Sequence, residues 1–227
     1  MEGLAARLAA VRERIDRAAR RAGRLSEDVS LVAVSKTRTV AEMREAAALG
    51  LSHFGENRVQ EAQAKRAEGL PEGLILHLIG HLQSNKARLA VSLFDVVHSL
   101  DSADLARRLD SSAREAGKCL AVFVQVDLAH EQTKHGIDEG ELDPLLDEIA
   151  GLQALELRGL MCLPPWSVDP EATRPYFARL RGLAEKRGLA ELSMGMSHDL
   201  EVAIAEGATC VRVGEALFGP RAKAVSP

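Results

Sequence analysis

The sequence predicts an α/β protein, a single closed parallel (β/α)8 barrel with an extra N-terminal helix, on three observations. From residue 30 onward, short apolar runs rich in β-branched residues alternate with longer amphipathic runs. Eight such short runs occur with no second block of strands, which favours a closed barrel over an open doubly wound sheet, the competing solution. The 227 residues contain no linker, repeat or low-complexity segment and match the size of one barrel domain. The whole chain, 1–227, is therefore read as one domain, with the helix over about 2–22 and the barrel over about 30–221.

The N-terminal helix follows from Leu4, Leu8, Val11, Ile15 and Ala18 or Ala19 at helical spacing, with arginines on the solvated face and a stop at Ala22-Gly23. Strands are expected at 31–35, 52–55, 75–79, 96–99, 121–126, 157–163, 192–194 and 210–213. Helical patterns fall at 40–49, 58–67, 102–116, 142–149, 173–186 and 199–206. Ser197 suits the N-cap of the last of these and Asp199 its first turn. The chain is 46% hydrophobic but only 3% aromatic, so its core is expected to be aliphatic.

Charge and composition exclude several classes of function. A net charge of −4 gives no electrostatic case for nucleic acid or an anionic membrane as partner. No apolar run reaches the roughly 18 residues of a membrane span. The first residues, MEGLAARLAAVRERID, carry charges throughout and do not read as a secretory signal. Cys119, Cys162 and Cys210 are odd in number and lie in apolar stretches, which fits reduced, buried thiols in a cytoplasmic protein. His77 and His81 straddle a strand and its loop without a third ligand at useful spacing, so no metal is expected.

Chemistry in such a barrel belongs at the C-terminal ends of its strands. Read in order, those ends present Lys36, Gly55-Glu56-Asn57, Gly80 to Lys86, His98 to Asp101, Gln125 to Asp127, Gly159 to Met161, Gly195-Met196-Ser197 and Arg212-Val213-Gly214. The chain has two asparagines, Asn57 and Asn85, and both fall here. Lys36 directly follows a β-branched strand; partial desolvation at the mouth favours the neutral amine that attacks a carbonyl. Ser197, Arg212 and Gly214, beside helix starts near the last two strands, suit a phosphate dianion. A nucleophilic lysine facing a phosphate cup describes either a pyridoxal 5′-phosphate (PLP) site or a Schiff-base aldolase acting on a sugar phosphate.

The motifs VSKT at 34–37, FGENRVQE at 54–61, HLIGHLQSNK at 77–86, RGLM at 158–161, LSMGMSHDLEVAI at 192–204 and VRVGEALFG at 211–219 resemble the YggS/PROSC family of PLP-binding homeostasis proteins. The resemblance runs in order over residues 5 to 221. It implies a TIM barrel of the alanine-racemase N-terminal-domain type, PLP fold type III, without the second domain of the racemases. It further implies that Lys36 holds PLP as a Schiff base, that Asn57 lies at the cofactor ring, and that Ser197, Arg212 and Gly214 surround the phosphate. Met161 and Met196 would line the pocket. The implied role is PLP homeostasis in the cytoplasm with little or no turnover, by a monomer whose recipients are PLP-dependent apo-enzymes. A PLP enzyme such as an amino-acid racemase is the alternative, but the single tyrosine, Tyr176, falls in a helix away from any strand end. His198, Glu215, Asp127 and His135 depart from the family pattern, and Glu215 adds negative charge near the phosphate. Lys86 and Lys134 resemble family lysines and are read as surface residues.

Overall fold

A computed structural model describes residues 3–129 and 135–220 of the chain. Among them, eight strands close into one parallel barrel in sequence order: β1 (Ser30–Val34), β2 (His53–Glu56), β3 (Ile75–Leu78), β4 (Val96–Leu100), β5 (Leu120–Gln125), β6 (Leu155–Met161), β7 (Glu191–Met196) and β8 (Cys210–Val213). The ladder closes where Ser30 pairs with Cys210 and Ala33 with Val213. Parallel neighbours need crossovers, and these are helical. The helices are α1 (Leu4–Arg21), α2 (Val40–Ala48), α3 (Val59–Glu68), α4 (Ala87–Leu93), α5 (Ala103–Glu115), α6 (Leu142–Ala150), α7 (Arg174–Glu185), α8 (Leu200–Ala205) and α9 (Glu215–Phe218).

The predicted (β/α)8 barrel is thus the observed one, with two local differences. Helix α4 was not anticipated, because its seven residues ARLAVSL run straight into Phe94 and β4, and the apolar run hides the change of period. Strand β6 starts at Leu155 and ends at Met161, not Leu163, since Leu155 pairs with Leu120 and the chain then enters Pro164-Pro165. Helix α1 buries Leu4, Leu8, Val11, Ile15, Ala18 and Ala19, the face the spacing predicts, and packs on α8 and α9. Two of its arginines are more than a solvated face. Arg14 makes a two-pronged contact with Glu201 (2.7 and 2.8 Å) and donates to the Ser197 carbonyl, while Arg7 donates to the Leu217 carbonyl.

The aliphatic core expected from composition lies between strands and helices, where Leu, Val, Ile and Ala are almost fully buried. The barrel interior differs: His77, His98, Ser193 and Arg212 are buried polar groups on strands. Of the cysteines, Cys162 and Cys210 are buried as expected, whereas Cys119 is exposed in the turn before β5. No helix among the described residues is long and apolar enough to cross a membrane.

The β6–β7 contact depends on Gly159, where an added Cβ would lie 1.8 Å from the Glu191 carbonyl oxygen. Backbone cannot yield as a flexible side chain can. Gly159→Ala is therefore expected to destabilise the fold by at least about 1–3 kcal/mol, read as a lower urea midpoint.

Candidate functional site at the C-terminal mouth of the barrel

Lys36 sits in the turn after β1 and is half-buried. It lines a cavity of about 170 Å³ together with Val34, Arg38, Gly214, Glu215 and Gly219. Gly214 belongs there sterically, since a Cβ would come within 3.3 Å of the Val34 Cβ. Ser197 does not cap the helix beginning near residue 199. Asp199 occupies that position, and its Oδ1 accepts from the Met196 amide at 2.7 Å. The Ser197 hydroxyl instead reaches across to β8 and accepts from the amides of Gly214 (3.3 Å) and Ala216 (3.2 Å). Lys36, Gly214 and Ser197 are thus brought together. Glu215 opens α9, is exposed, and still borders the cavity.

The turn carrying Lys36 is held from below. Lys65 on α3 is buried and donates to the Ser35 carbonyl (2.7 Å), Glu56 Oε1 (2.7 Å) and Glu61 Oε1 (2.8 Å). Glu56 Oε1 also accepts from the Ser35 hydroxyl at 2.6 Å, and Glu61 accepts from the Thr37 amide. Thr37 has φ +64°, and no other non-glycine residue among those described is left-handed. A β-branched residue resists that conformation, so its hydrogen bond to Glu61 secures the turn. The network fixes both neighbours of Lys36 and the neighbour of Asn57.

Burial pushes the Glu56 carboxyl up, and Lys65 and Ser35 pull it back. Lys65→Met would leave a carboxylate that is 1% exposed without its cation. The expected loss is about 3–5 kcal/mol at neutral pH. It should shrink in mild acid, where Glu56 can take up a proton; chemical denaturation at two pH values measures both.

Asn57 is half-buried, and its Oδ1 is a buried acceptor with no partner among the described residues. It lines a second cavity, about 370 Å³, with Arg58, Gln83, His81 and Lys86. Gly80 lets β3 close on this segment, for a Cβ would lie 2.3 Å from the Asn57 carbonyl oxygen. Lys86 is half-buried in this second cavity; Lys134 lies outside the described residues. Met161 ends β6 fully buried and Met196 ends β7 half-buried. Arg212 lies inside the barrel at 3% exposure, donating to Ser193 Oγ (2.6 Å) and the Cys162 carbonyl (3.0 Å). Among the described residues it makes no ion pair. His198 is exposed and bonds the Val168 carbonyl, and Asp127 Oδ1 accepts from Ala129.

Two groupings escaped the sequence reading. His81, Asp101 and His135, on three different βα loops, place their ligand atoms within 4.8 Å of one another. Their two imidazoles stack 3.6 Å apart, nearly parallel. An ion cannot lie in both ring planes of such a stack without turning one ring. The second grouping is inside the barrel, where His53, His77, His98 and Ser193 touch in succession. Sequence distances of about twenty residues or more gave no hint of either. A cavity of about 880 Å³ lies at the opposite, N-terminal mouth and includes His53, His77 and His98. Size does not locate the chemistry in this fold, whose strand ends do.

The sequence profile of the alanine racemase N-terminal domain family matches residues 6–222. A pyridoxal phosphate homeostasis protein of Pseudomonas aeruginosa is 47% identical over 224 residues, covering 97% of both chains. That of Escherichia coli K12 is 40% identical, covering 97% of this chain and 98% of its own. The structure of PipY from Synechococcus elongatus with PLP bound is similar at a TM-score of 0.84 and 45% identity, over 96% of this chain and all of that one. An alanine racemase of Clostridium difficile shares the fold at 18% identity and a TM-score of 0.72, with 55% of its chain covered. The chain belongs to the alanine racemase N-terminal domain family, among its pyridoxal phosphate homeostasis proteins.

Proposed function

We propose that the C-terminal mouth holds PLP on Lys36 and that the protein serves PLP homeostasis, keeping and releasing the cofactor with little or no turnover. The observation that carries this reading is one cavity shared by Lys36 and Gly214, with Ser197 gathering the Gly214 and Ala216 amides beside it. A PLP-bound relative at 45% identity supports it. The residues present fit the group. Backbone amides and a hydroxyl suit a phosphate dianion, and Arg212 is a buried cation with no carboxylate on it among the described residues; Asn57, whose Oδ1 is a buried acceptor with no partner among those residues, lines the neighbouring cavity.

Bound there, PLP supplies an aldehyde that condenses reversibly with a primary amine. Lys65, Glu56 and Glu61 set the direction of the turn that presents Lys36. Ser197 and Gly214 hold the anionic end, with Arg212 one layer deeper and Met161 and Met196 as apolar walls. A racemase needs acid/base groups on both faces of its cofactor. Tyr176 is half-buried on α7, in the outer layer. Holding without turnover suits a protein that hands PLP to apo-enzymes in the cytoplasm.

The test is spectroscopic. Protein reconstituted with PLP should show visible absorption, lose it on borohydride reduction, and carry the reduced adduct on Lys36 by peptide mapping. A colourless protein that retains no PLP would refute the reading.

A further inference from the structure

We infer that Arg212, Ser193, His98, His77 and His53 form one oriented hydrogen-bond relay that ties the cavity at the N-terminal mouth to the floor of the C-terminal site. The three histidines are positioning residues for the Arg212 guanidinium.

A barrel of this kind normally fills its interior with stacked branched aliphatic side chains. Here the interior is crossed by polar groups in contact. Arg212 Nη1 lies 2.6 Å from Ser193 Oγ, and Ser193 Oγ lies 2.8 Å from His98 Nδ1. His98 Nε2 is 2.8 Å from His77 Nδ1, and His77 Nε2 is 2.9 Å from His53 Nδ1. His98 is fully buried, His77 nearly so, and His53 half-buried at the cavity.

The direction of the chain follows from arginine, which only donates. Ser193 Oγ therefore accepts from Arg212, and its one hydrogen goes to His98 Nδ1. The neighbouring Cys210 thiol, held protonated by burial at about 11, is a poor competing acceptor. His98 must then carry its hydrogen on Nε2 and donate to His77, which does the same toward His53. With all three rings neutral, Nε2–H throughout gives each contact one hydrogen and places the Ser193 hydrogen on a nitrogen acceptor; the reverse, Nδ1–H throughout, would turn that hydrogen toward the weakly accepting thiol. Burial disfavours the charged form of each ring and takes His77 down to about 3.

The relay has a second state. A proton added at His53 makes its Nδ1 a donor, which reverses His77 and His98 in turn. His98 Nδ1 then donates to Ser193, whose hydroxyl hydrogen must turn away toward Cys210. The charged groups lining the cavity that His53 faces are Arg24, Asp28, Asp95, Glu156, Arg158 and Glu191. Four carboxylates against two guanidiniums favour a positive charge arriving there. Ser193 Oγ accepts from Arg212 in both states but changes its other partner, so its hold on the guanidinium depends on the opposite end of the barrel. The last link, from Arg212 to a bound cofactor, rests on the function proposed above; the relay itself does not.

Nitrogen-15 NMR of histidine-labelled protein, before and after PLP is added, tests this. Without PLP, His53, His77 and His98 should each show a protonated Nε2 and a bare Nδ1 at neutral pH. Ser193→Ala should shift His98 and His77 into tautomer mixtures and weaken PLP retention about tenfold, the cost of one hydrogen bond to a charged group. Ser193→Thr should restore both. His53→Gln, at the accessible end, guards against misfolding of the buried variant and should still move the His98 signals. A charged or Nδ1–H ring in the wild type, or unchanged His98 signals in Ser193→Ala and His53→Gln, would overturn the relay. PLP that binds without moving His98 would overturn the coupling to the site. The expected tautomers in a protein that retains no PLP would uphold the relay and refute the PLP reading alone.

Discussion

Lys36→Ala is expected to abolish visible absorption after reconstitution with PLP and to leave no adduct after borohydride reduction. Of the candidate lysines that are described, Lys36 shares the cavity with Gly214, whereas Lys86 lies with Asn57 in a separate one. Lys65 is fully engaged beneath the turn by Ser35, Glu56 and Glu61. Alanine keeps the turn, because Ser35 and Thr37 hold it through their own backbone contacts to Lys65 and Glu61. The variant should therefore fold normally, and PLP should still bind weakly and without a covalent bond, through the Ser197 and Gly214 region. Fluorescence quenching would read that residual binding, and intact mass would read the missing adduct. An adduct that persisted at full yield on Lys86 would disprove the assignment of Lys36.

The second large effect is acid lability. In the folded protein His77 and His98 are kept neutral, with His77 down at about 3, chiefly by desolvation. Unfolded, both titrate near their ordinary value of 6.5. Below that value the unfolded chain binds more protons than the folded one, so folding free energy falls as pH falls. The slope is about 1.4 kcal/mol per pH unit for each histidine, and about 3 for the pair. Glu56 works in the opposite sense. Its carboxyl is raised in the fold by burial, so the folded chain takes up that proton first and gains stability as pH falls through its window. Urea midpoints between pH 7 and 5 should fall steeply, and His98→Gln should flatten the curve by about half. A flat profile in the wild type would show that the interior histidines are charged or solvated.

The strand order and the exposed strand ends were legible because both rest on local signals. β-branched runs mark parallel strands buried on both faces, and the barrel rule then assigns Lys36, Asn57 and Gly214 to one mouth. Local signals failed where tertiary contact decides. Ser197 looks like a helix cap within its own stretch of sequence; its hydroxyl serves the amides of Gly214 and Ala216 instead. Arg212 looked like a rim residue, and its bonds to Ser193 and the Cys162 carbonyl place its guanidinium inside the barrel. Strand geometry alone makes successive residues face opposite ways. That His53, His77 and His98 would also stand at matching heights depends on the stagger between strands, which no single stretch of sequence encodes.

The packing of α1 against α8 and α9 joins the two ends of the chain. Arg14 meets Glu201 and the Ser197 carbonyl across more than 180 positions, and Arg7 meets Leu217 across 210. Closure of β1 on β8 spans a similar distance. Contacts between such remote segments form late, since the loop entropy must be spent before they stabilise anything. During synthesis, Lys36 leaves the ribosome long before Ser197 and Gly214 exist. The Ser197 and Gly214 half of the proposed site is then absent, and a half-made chain would offer a reactive aldehyde no more than an ordinary surface amine. On the proposed function, cofactor capture is a property of the finished molecule, timed by the order in which the polypeptide emerges.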